Sequence, residues 1–336
     1  MTSARNLITD VSDLRIGHAD DAGLASGTTV VVFDKPVVAS IDVRGGGPGT
    51  RESALLDPAQ TVEGIDALVL SGGSAFGLDA ASGVQSYLRE QGRGFRVREA
   101  VVPIVPGAIL FDLLAGGNKD WGRHPPYREL GYEAAKTAAE SAGRDCALGS
   151  VGAGLGATTV DLKGGIGSAS AITRDGLTVG ALVAVNAAGS VTIGGRPHFW
   201  AAPFEQGNEF GGRGWPQPFP TDALSFRSKG APGENTTLAI IATDAKLTKA
   251  QCKRLAVMAQ TGLARAIYPV HTPLDGDVVF AAATGDKPLP DPVYALSELG
   301  MLAGNVLARA VARGVYEASA LPFPSALPSW KDRFGA

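Results

Sequence analysis

The chain has 336 residues, 45% of them hydrophobic, and 30 basic against 33 acidic side chains leave a formal net charge of −3. That balance excludes the basic stripe of a nucleic-acid binder, and no apolar run approaches the ~20 residues of a membrane span. Two cysteines, Cys146 and Cys252, are too few for a disulfide framework and lack metal-ligand spacing.

In chain order, the N-terminal stretch carries charges every few residues and no apolar core of a secretion signal, so a cytoplasmic protein is expected. "TTVVVF" (28–33) and "VVASIDV" (37–43) are β-branched runs separated by Asp34-Lys35-Pro36, a hairpin pattern. The glycine cluster "RGGGPGTRE" (44–52) follows. Residues 65–73 read as a buried strand and 77–92 as a helix, with Leu78, Ala81, Val84 and Leu88 on one face and Gly92 as its stop. Residues 101–114 are apolar but contain Pro103 and Pro106, which predicts a strand with an irregular start. A helix is predicted over 132–143, then glycine-laced β structure over 149–173 and 177–193.

Residues 194–235 are rich in Gly, Pro and aromatics and follow no period, a length that compact domains seldom tolerate without a reason. Two readings fit: a solvent-exposed linker, or a lid or chain end that becomes free. Beyond it lie a strand (236–243), a helix (249–268), a strand (277–285) and a long helix from about Pro292 to Glu317. With no clean break anywhere, the expectation is one intertwined α+β unit spanning 1–336.

Familiar motifs are absent. The clusters "GGGPG" (45–49) and "GAGLG" (152–156) lack the third glycine of a dinucleotide fingerprint, and no phosphate-binding G-x4-G-K-[ST] occurs. Phe76 stands where a nucleophile elbow around Ser74 needs glycine. The four histidines, His18, His124, His198 and His271, are scattered and read as structural.

One stretch carries chemistry: "GENTTLAIIATD" (233–244), where Asn235 precedes a strand that opens with Thr236. A threonine hydroxyl becomes a useful nucleophile when its residue begins a chain, because its own α-amine then serves as base. That amine has a reference pKa of ~7.7–8.0. An internal Thr236 reaches this state if its hydroxyl attacks the Asn235 carbonyl and the resulting ester is hydrolysed. On this stretch alone, the plainer reading is that Thr favours strands. Downstream, Asp275 and Asp277 flank Gly276 at period-2 spacing. They read either as groups that hold an α-ammonium and orient the nucleophile, or as a solvated Asp-Gly turn.

"ITDVSDLRIGHADD", "RGGGPGTRE", "LSGGSAFGLDAASGV", "VPIVPGAILFD", "GSVGAGLGAT", "NTTLAIIATDA" and "HTPLDGDVVFA" stand in the order seen in the self-cleaving L-aminopeptidase/D-esterase family. The chain resembles that family, which includes β-aminopeptidases and nylon-oligomer hydrolases, from about residue 7 to about 318. The resemblance implies a four-layer αββα sandwich similar to the N-terminal-nucleophile hydrolases. It also implies cleavage between Asn235 and Thr236 into chains 1–235 and 236–336, assembled as a tetramer of such heterodimers. Thr236 would be the nucleophile, Asn186 an oxyanion donor, and Asp275 with Asp277 the assisting pair.

Two positions depart from the family pattern. Phe111 stands where some members have a tyrosine near the oxyanion. The lysine of the nylon-oligomer branch falls on Asp161, with Lys163 two residues on as its substitute. The implied activity is hydrolysis of N-terminal amino-acid amides, peptides or esters, with no metal or cofactor and with neither nucleic acid nor membrane as partner. The alternatives are hydrolysis of nylon-type 6-aminohexanoate oligomers, acyl transfer of the ornithine-acetyltransferase type, and a non-catalytic binding protein of the same fold.

Overall fold

The computed structural model describes residues 5–141, 145–229 and 235–335. Strands β1 (Leu14–Asp21), β2 (Ser26–Val43), β3 (Gly49–Arg51) and β4 (Gly64–Ser71) precede helix α1 (Ala80–Glu90). Next come β5 (Phe95–Val97), β6 (Ala100–Val102), β7 (Gly107–Ile109) and α2 (Tyr127–Glu140). The chain continues through β8 (Ile166–Ile172), β9 (Thr178–Asn186), β10 (Thr236–Ala245), α3 (Lys249–Ala266), β11 (Val278–Lys287), α4 (Tyr294–Tyr316) and α5 (Trp330–Phe334).

The hairpin expected around Asp34-Lys35-Pro36 does not form. Residues 26–43 are one strand of 18 residues, and the three turn-like residues are exposed at its middle. There the register against β4 shifts between Val32 and Val37. Proline has no N–H to donate, so a bulge is where a long strand tolerates it. The first half of β2 pairs with β1 and most of β4, and its last six residues pair with β11. One strand thus belongs to both ends of a bent sheet. Among the described residues the order is β3-β7-β4-β2-β11-β10-β9-β8, with β1 added to β2.

Alternating side chains divide this sheet into layers. Val31, Phe33, Leu68, Leu70, Leu238, Ile240, Val278 and Phe280 share a core between its two halves. Their sequence neighbours face outward: Val30, Val32, Ala67 and Val69 against α1 and α2, and Ala239, Ile241, Val279 and Ala281 against α3 and α4. Period-2 alternation, apolar on both faces, requires a cover on each side. The result is helices, sheet, sheet, helices: the αββα sandwich. Glycine makes the outer layers tight. A Cβ at Gly83 of α1 would stand 1.8 Å from the Arg128 carbonyl oxygen, and one at Gly131 of α2 would stand 2.0 Å from that of Ala80.

The irregular segment after β9 is neither a loose linker nor a free tail over its described part. Val191, Phe199, Ala201 and Phe210 join the core under α4. Phe199 stacks on Trp330 of α5 with ring centres 5.8 Å apart. Aromatic burial of this kind anchors a segment that has no ladder of its own. The remainder of the expected chain end, residues 230–234, lies outside the described residues.

Candidate active site

Thr236 is the first residue of β10, a strand buried along its whole length between β9 and β11. Its register partner on β9 is Asn186. Asn235, just outside the strand, bridges to Asp275 ahead of β11. Two residues far apart in sequence therefore meet Thr236 because the central strands end at one edge of the sheet.

The Thr236 hydroxyl oxygen lies 2.5 Å from the carbonyl oxygen of Asn235. That same carbonyl oxygen accepts the Gly276 N–H at 2.9 Å. Gly276 passes so close beneath the hydroxyl that a Cβ there would stand 2.7 Å from Thr236 Oγ1 and 2.8 Å from the Gly47 carbonyl oxygen. The glycine cluster at 44–47 packs flat on the far side. Gly47 N–H donates to the Asp275 carbonyl and Arg44 N–H to that of Asp277. A Cβ on Gly45 would meet the Asp277 nitrogen at 2.2 Å. Two glycine motifs thus form one backbone-on-backbone contact that presents Gly276.

The two carboxylates serve different neighbours. Asp277 Oδ1 accepts the N–H of Thr237, the residue after Thr236, at 2.8 Å. Its Oδ2 accepts from His271 Nδ1 at 2.8 Å and from the His271 backbone N–H at 3.2 Å. Asp275 accepts the Ala188 N–H through Oδ1, and both the N–H and the hydroxyl of Thr272 through Oδ2. Burial, reinforced by the Asp277 charge, pushes the Asp275 carboxyl above the usual range. Both are fully enclosed, not solvated turn residues.

Asn186 is fixed from both ends. One N–H of its amide donates to the Phe111 carbonyl oxygen at 3.0 Å. Its Oδ1 accepts the Thr158 N–H at 3.0 Å and the Lys229 ammonium at 2.9 Å. Phe111 therefore touches Asn186 through its backbone, while Phe111, Thr158 and Lys229 all line a neighbouring cavity of about 210 Å³. Leu114, Leu321 and Leu327 give that cavity an apolar side, and Asp112 and Lys163 are also in its wall.

Lys163 is buried and spends its three donors on the carbonyls of Gly154, Ala157 and Gly164, at 2.7–2.8 Å. It closes the 154–164 turn rather than reaching toward the Thr236 hydroxyl. Burial pulls its pKa down to about 7, Asp112 opposing this and Lys229 adding to it. Asp112, enclosed by Ser26 Oγ at 2.6 Å and Gly73 N–H at 2.8 Å, is pushed upward by burial. Asp161 makes ion pairs with Arg227 at 2.9 Å and Arg333 at 3.5 Å. Among the described residues no group of three or more His, Cys, Asp or Glu could hold a metal ion. No described helix is long and apolar enough to cross a membrane.

The sequence model of peptidase family S58 matches residues 6–326. The chain belongs to peptidase family S58. It is 43% identical, over 98% of both chains, to a protein of Mycobacterium tuberculosis described as an uncharacterized aminopeptidase. It is 25% identical to a 6-aminohexanoate-oligomer endohydrolase of a Kocuria species, over 86% of this chain and 78% of that one. Its fold matches, with a TM-score of 0.68 and 19% identity, that of an L-aminopeptidase D-Ala-esterase/amidase from Ochrobactrum anthropi, over 99% of this chain and 93% of that one. That structure is described as a variant of the Ntn hydrolase fold.

In this S58 peptidase, Thr236, Asn186, Asp275 and Asp277 converge on one end of β10, while Lys163 stands in the cavity wall. Two residues of the cluster were missed. His271, read as structural, bonds directly to Asp277, and its place four residues before Asp275 in "HTPLDGD" was the available signal. Lys229 gave no signal beyond its nearness to the Asn235-Thr236 junction.

Proposed function

We propose that this S58 peptidase is a self-processing aminopeptidase with Thr236 as its N-terminal nucleophile. The observation that carries the reading is the Asn235 carbonyl, which has the Thr236 hydroxyl 2.5 Å from its oxygen and the Gly276 N–H on the same oxygen. Attack by Oγ1 on the carbonyl carbon puts negative charge on that oxygen, where a positioned backbone N–H stabilises it. The C–N bond then breaks, the Thr236 nitrogen takes a proton, and an ester links Asn235 to Oγ1. Water hydrolyses the ester, leaving an Asn235 carboxylate and a free Thr236 amine.

In the processed enzyme the Thr236 amine accepts the hydroxyl proton as Oγ1 attacks a substrate carbonyl. Asn186 lies directly across the ladder, with its amide fixed by Phe111, Thr158 and Lys229, and supplies an N–H to the tetrahedral oxyanion. Asp277 holds the peptide after the nucleophile through the Thr237 N–H, and Asp275 holds the turn that carries Gly276. The leaving amine departs with the proton, and water releases the acyl group. The small, largely apolar cavity favours substrates with a small apolar residue at the acyl position.

The test is a denaturing gel with a mass-spectrometric reading of the new N-terminus. The 34.3 kDa chain should give fragments of about 24 and about 10 kDa, in proportion to 235 and 101 of its 336 residues. An uncut chain with full activity on aminoacyl-p-nitroanilides would end the proposal. The likeness to a 6-aminohexanoate-oligomer endohydrolase supports a second substrate class for the same machinery. Faster turnover of a linear 6-aminohexanoate oligomer than of any aminoacyl anilide would favour it.

A further inference from the structure

After α4, residues 319–329 carry neither helix nor strand, and Leu321, Ser325, Ala326 and Leu327 of this segment line the cavity beside Asn186. Phe111 and Thr158 line the same cavity, and their backbone groups hold the Asn186 amide. The Phe111 carbonyl oxygen accepts from Nδ2 at 3.0 Å, and the Thr158 N–H donates to Oδ1 at 3.0 Å. The segment is thus a strap along the cavity that adjoins the ladder partner of Thr236.

The strap is fastened along its length. At its start, Ser150 Oγ donates to the Ser319 carbonyl oxygen at 2.7 Å and accepts the Ser319 N–H at 3.0 Å. At its middle, the Phe323 ring lies against Gly116, where a Cβ would stand 2.8 Å from a ring carbon. At its end, the Lys163 N–H donates to the Pro328 carbonyl oxygen at 2.9 Å, and Ser329 caps α5 by accepting the Asp332 N–H. Trp330 then stacks on Phe199 and donates its indole N–H to the Pro197 carbonyl oxygen at 3.2 Å. Pro322, Pro324 and Pro328 fix φ between these anchors, so little chain freedom is left to lose on ordering. A strap held in this way is a wall rather than a lid, and a wall excludes by size.

We propose that this strap is the specificity wall of the acyl pocket, with Leu321 and Leu327 limiting the substrate's acyl side chain to a small apolar group. The nature of that ligand rests on the aminopeptidase reading above. The cavity, about 210 Å³, is smaller than the ~300–1,000 Å³ of a site that encloses a drug-sized molecule, so one side chain fills it. An apolar pocket discriminates by roughly tenfold or more for each methylene it accepts or refuses. The family match ends at residue 326, so Leu327 and the α5 anchor lie beyond the residues it covers. In the processed enzyme the strap belongs to chain 236–336, which puts the nucleophile and the wall on one polypeptide.

The experiment compares wild type with Leu321→Ala and Leu327→Ala on alanyl and leucyl p-nitroanilides. The ratio of kcat/KM for leucyl over alanyl should rise roughly tenfold or more in each variant. It should fall below wild type in Leu327→Phe, which adds bulk, and stay near wild type in Leu327→Met, which conserves volume. Damage to the fold lowers both substrates together and leaves the ratio unmoved. A binding arm titrates alaninamide and leucinamide by calorimetry into Thr236→Ala and Thr236→Ala/Leu327→Ala, which need neither self-cleavage nor turnover. Preference for leucinamide should be roughly tenfold greater in the double variant. A wild type inert toward every anilide would count against the hydrolase reading alone, since the two amides still judge the wall. An unchanged ratio in either Leu→Ala variant, a rise in Leu327→Phe as in Leu327→Ala, or failure of both amides to bind would overturn the proposal.

Discussion

Gly276 donates its N–H to the carbonyl oxygen of Asn235, the same oxygen that lies 2.5 Å from the Thr236 hydroxyl. On the proposed reading, this peptide bond, polarised by a fixed donor and flanked by a hydroxyl, undergoes an N-to-O acyl shift. Thr236→Ala should leave a single full-length chain and lower hydrolysis on the order of 10⁶-fold. Thr236→Ser retains the hydroxyl and should still cut. Intact-mass measurement of the three proteins checks both outcomes.

Gly276→Ala tests the close approach on its own. The added methyl would stand 2.7 Å from Thr236 Oγ1 and 2.8 Å from the Gly47 carbonyl oxygen, with backbone on one side and the Thr236 hydroxyl on the other. Overpacking of this kind costs about 1–3 kcal/mol of stability. Displacing the hydroxyl should slow self-cleavage roughly a hundredfold. Chemical denaturation and a gel time course measure the two effects separately.

His271 bonds to Asp277, which in turn holds the Thr237 N–H. The residue sits at φ +56°, so His271→Gly removes the imidazole without straining the backbone. That variant should lose roughly 10–100-fold in kcat, the equivalent of one hydrogen bond to a carboxylate, with little change in KM. His271→Asn tolerates the same left-handed φ and offers a donor near the Nδ1 position, so it should recover part of the loss. Equal kcat in His271→Gly and wild type would remove the link.

Acid should expose a different histidine. Burial pulls the His18 pKa from 6.5 to about 4, with Thr29 Oγ1 at 3.0 Å from its Nδ1. Between those values the unfolded chain binds a proton that the folded chain refuses. Stability is therefore complete above pH 6.5 and is lost as the pH falls toward 4, by about 2–3 kcal/mol. His18→Gln should flatten this slope, as read from denaturation midpoints at pH 4.5, 5.5 and 7.

The sequence carried the parts of the site that are local. A Thr-led apolar run gave β10 its first residue, and the Asp-Gly-Asp spacing put both carboxylates beside it. Lys229, Thr158 and the Phe111 carbonyl stayed hidden because each meets Asn186 only once β9 is paired and the 154–164 turn is closed, contacts that no periodicity encodes. The same holds for β2. Asp34-Lys35-Pro36 has the local chemistry of a turn, yet the pull of two sheet halves on one strand turns it into a bulge. Likewise, the segment after β9 lacks any period, and what seats it is distant aromatic packing on Trp330.

β10 is zipped along both edges, to β9 on one side and β11 on the other, and both of its faces are covered. A cut at its head would leave two polypeptides interlocked like strands of one weave, with no route to part short of global unfolding. Once melted, such a pair must find each other again by diffusion. Recovery after denaturation would then become second order in protein for the nicked species, while the uncut precursor regains its shape at any dilution.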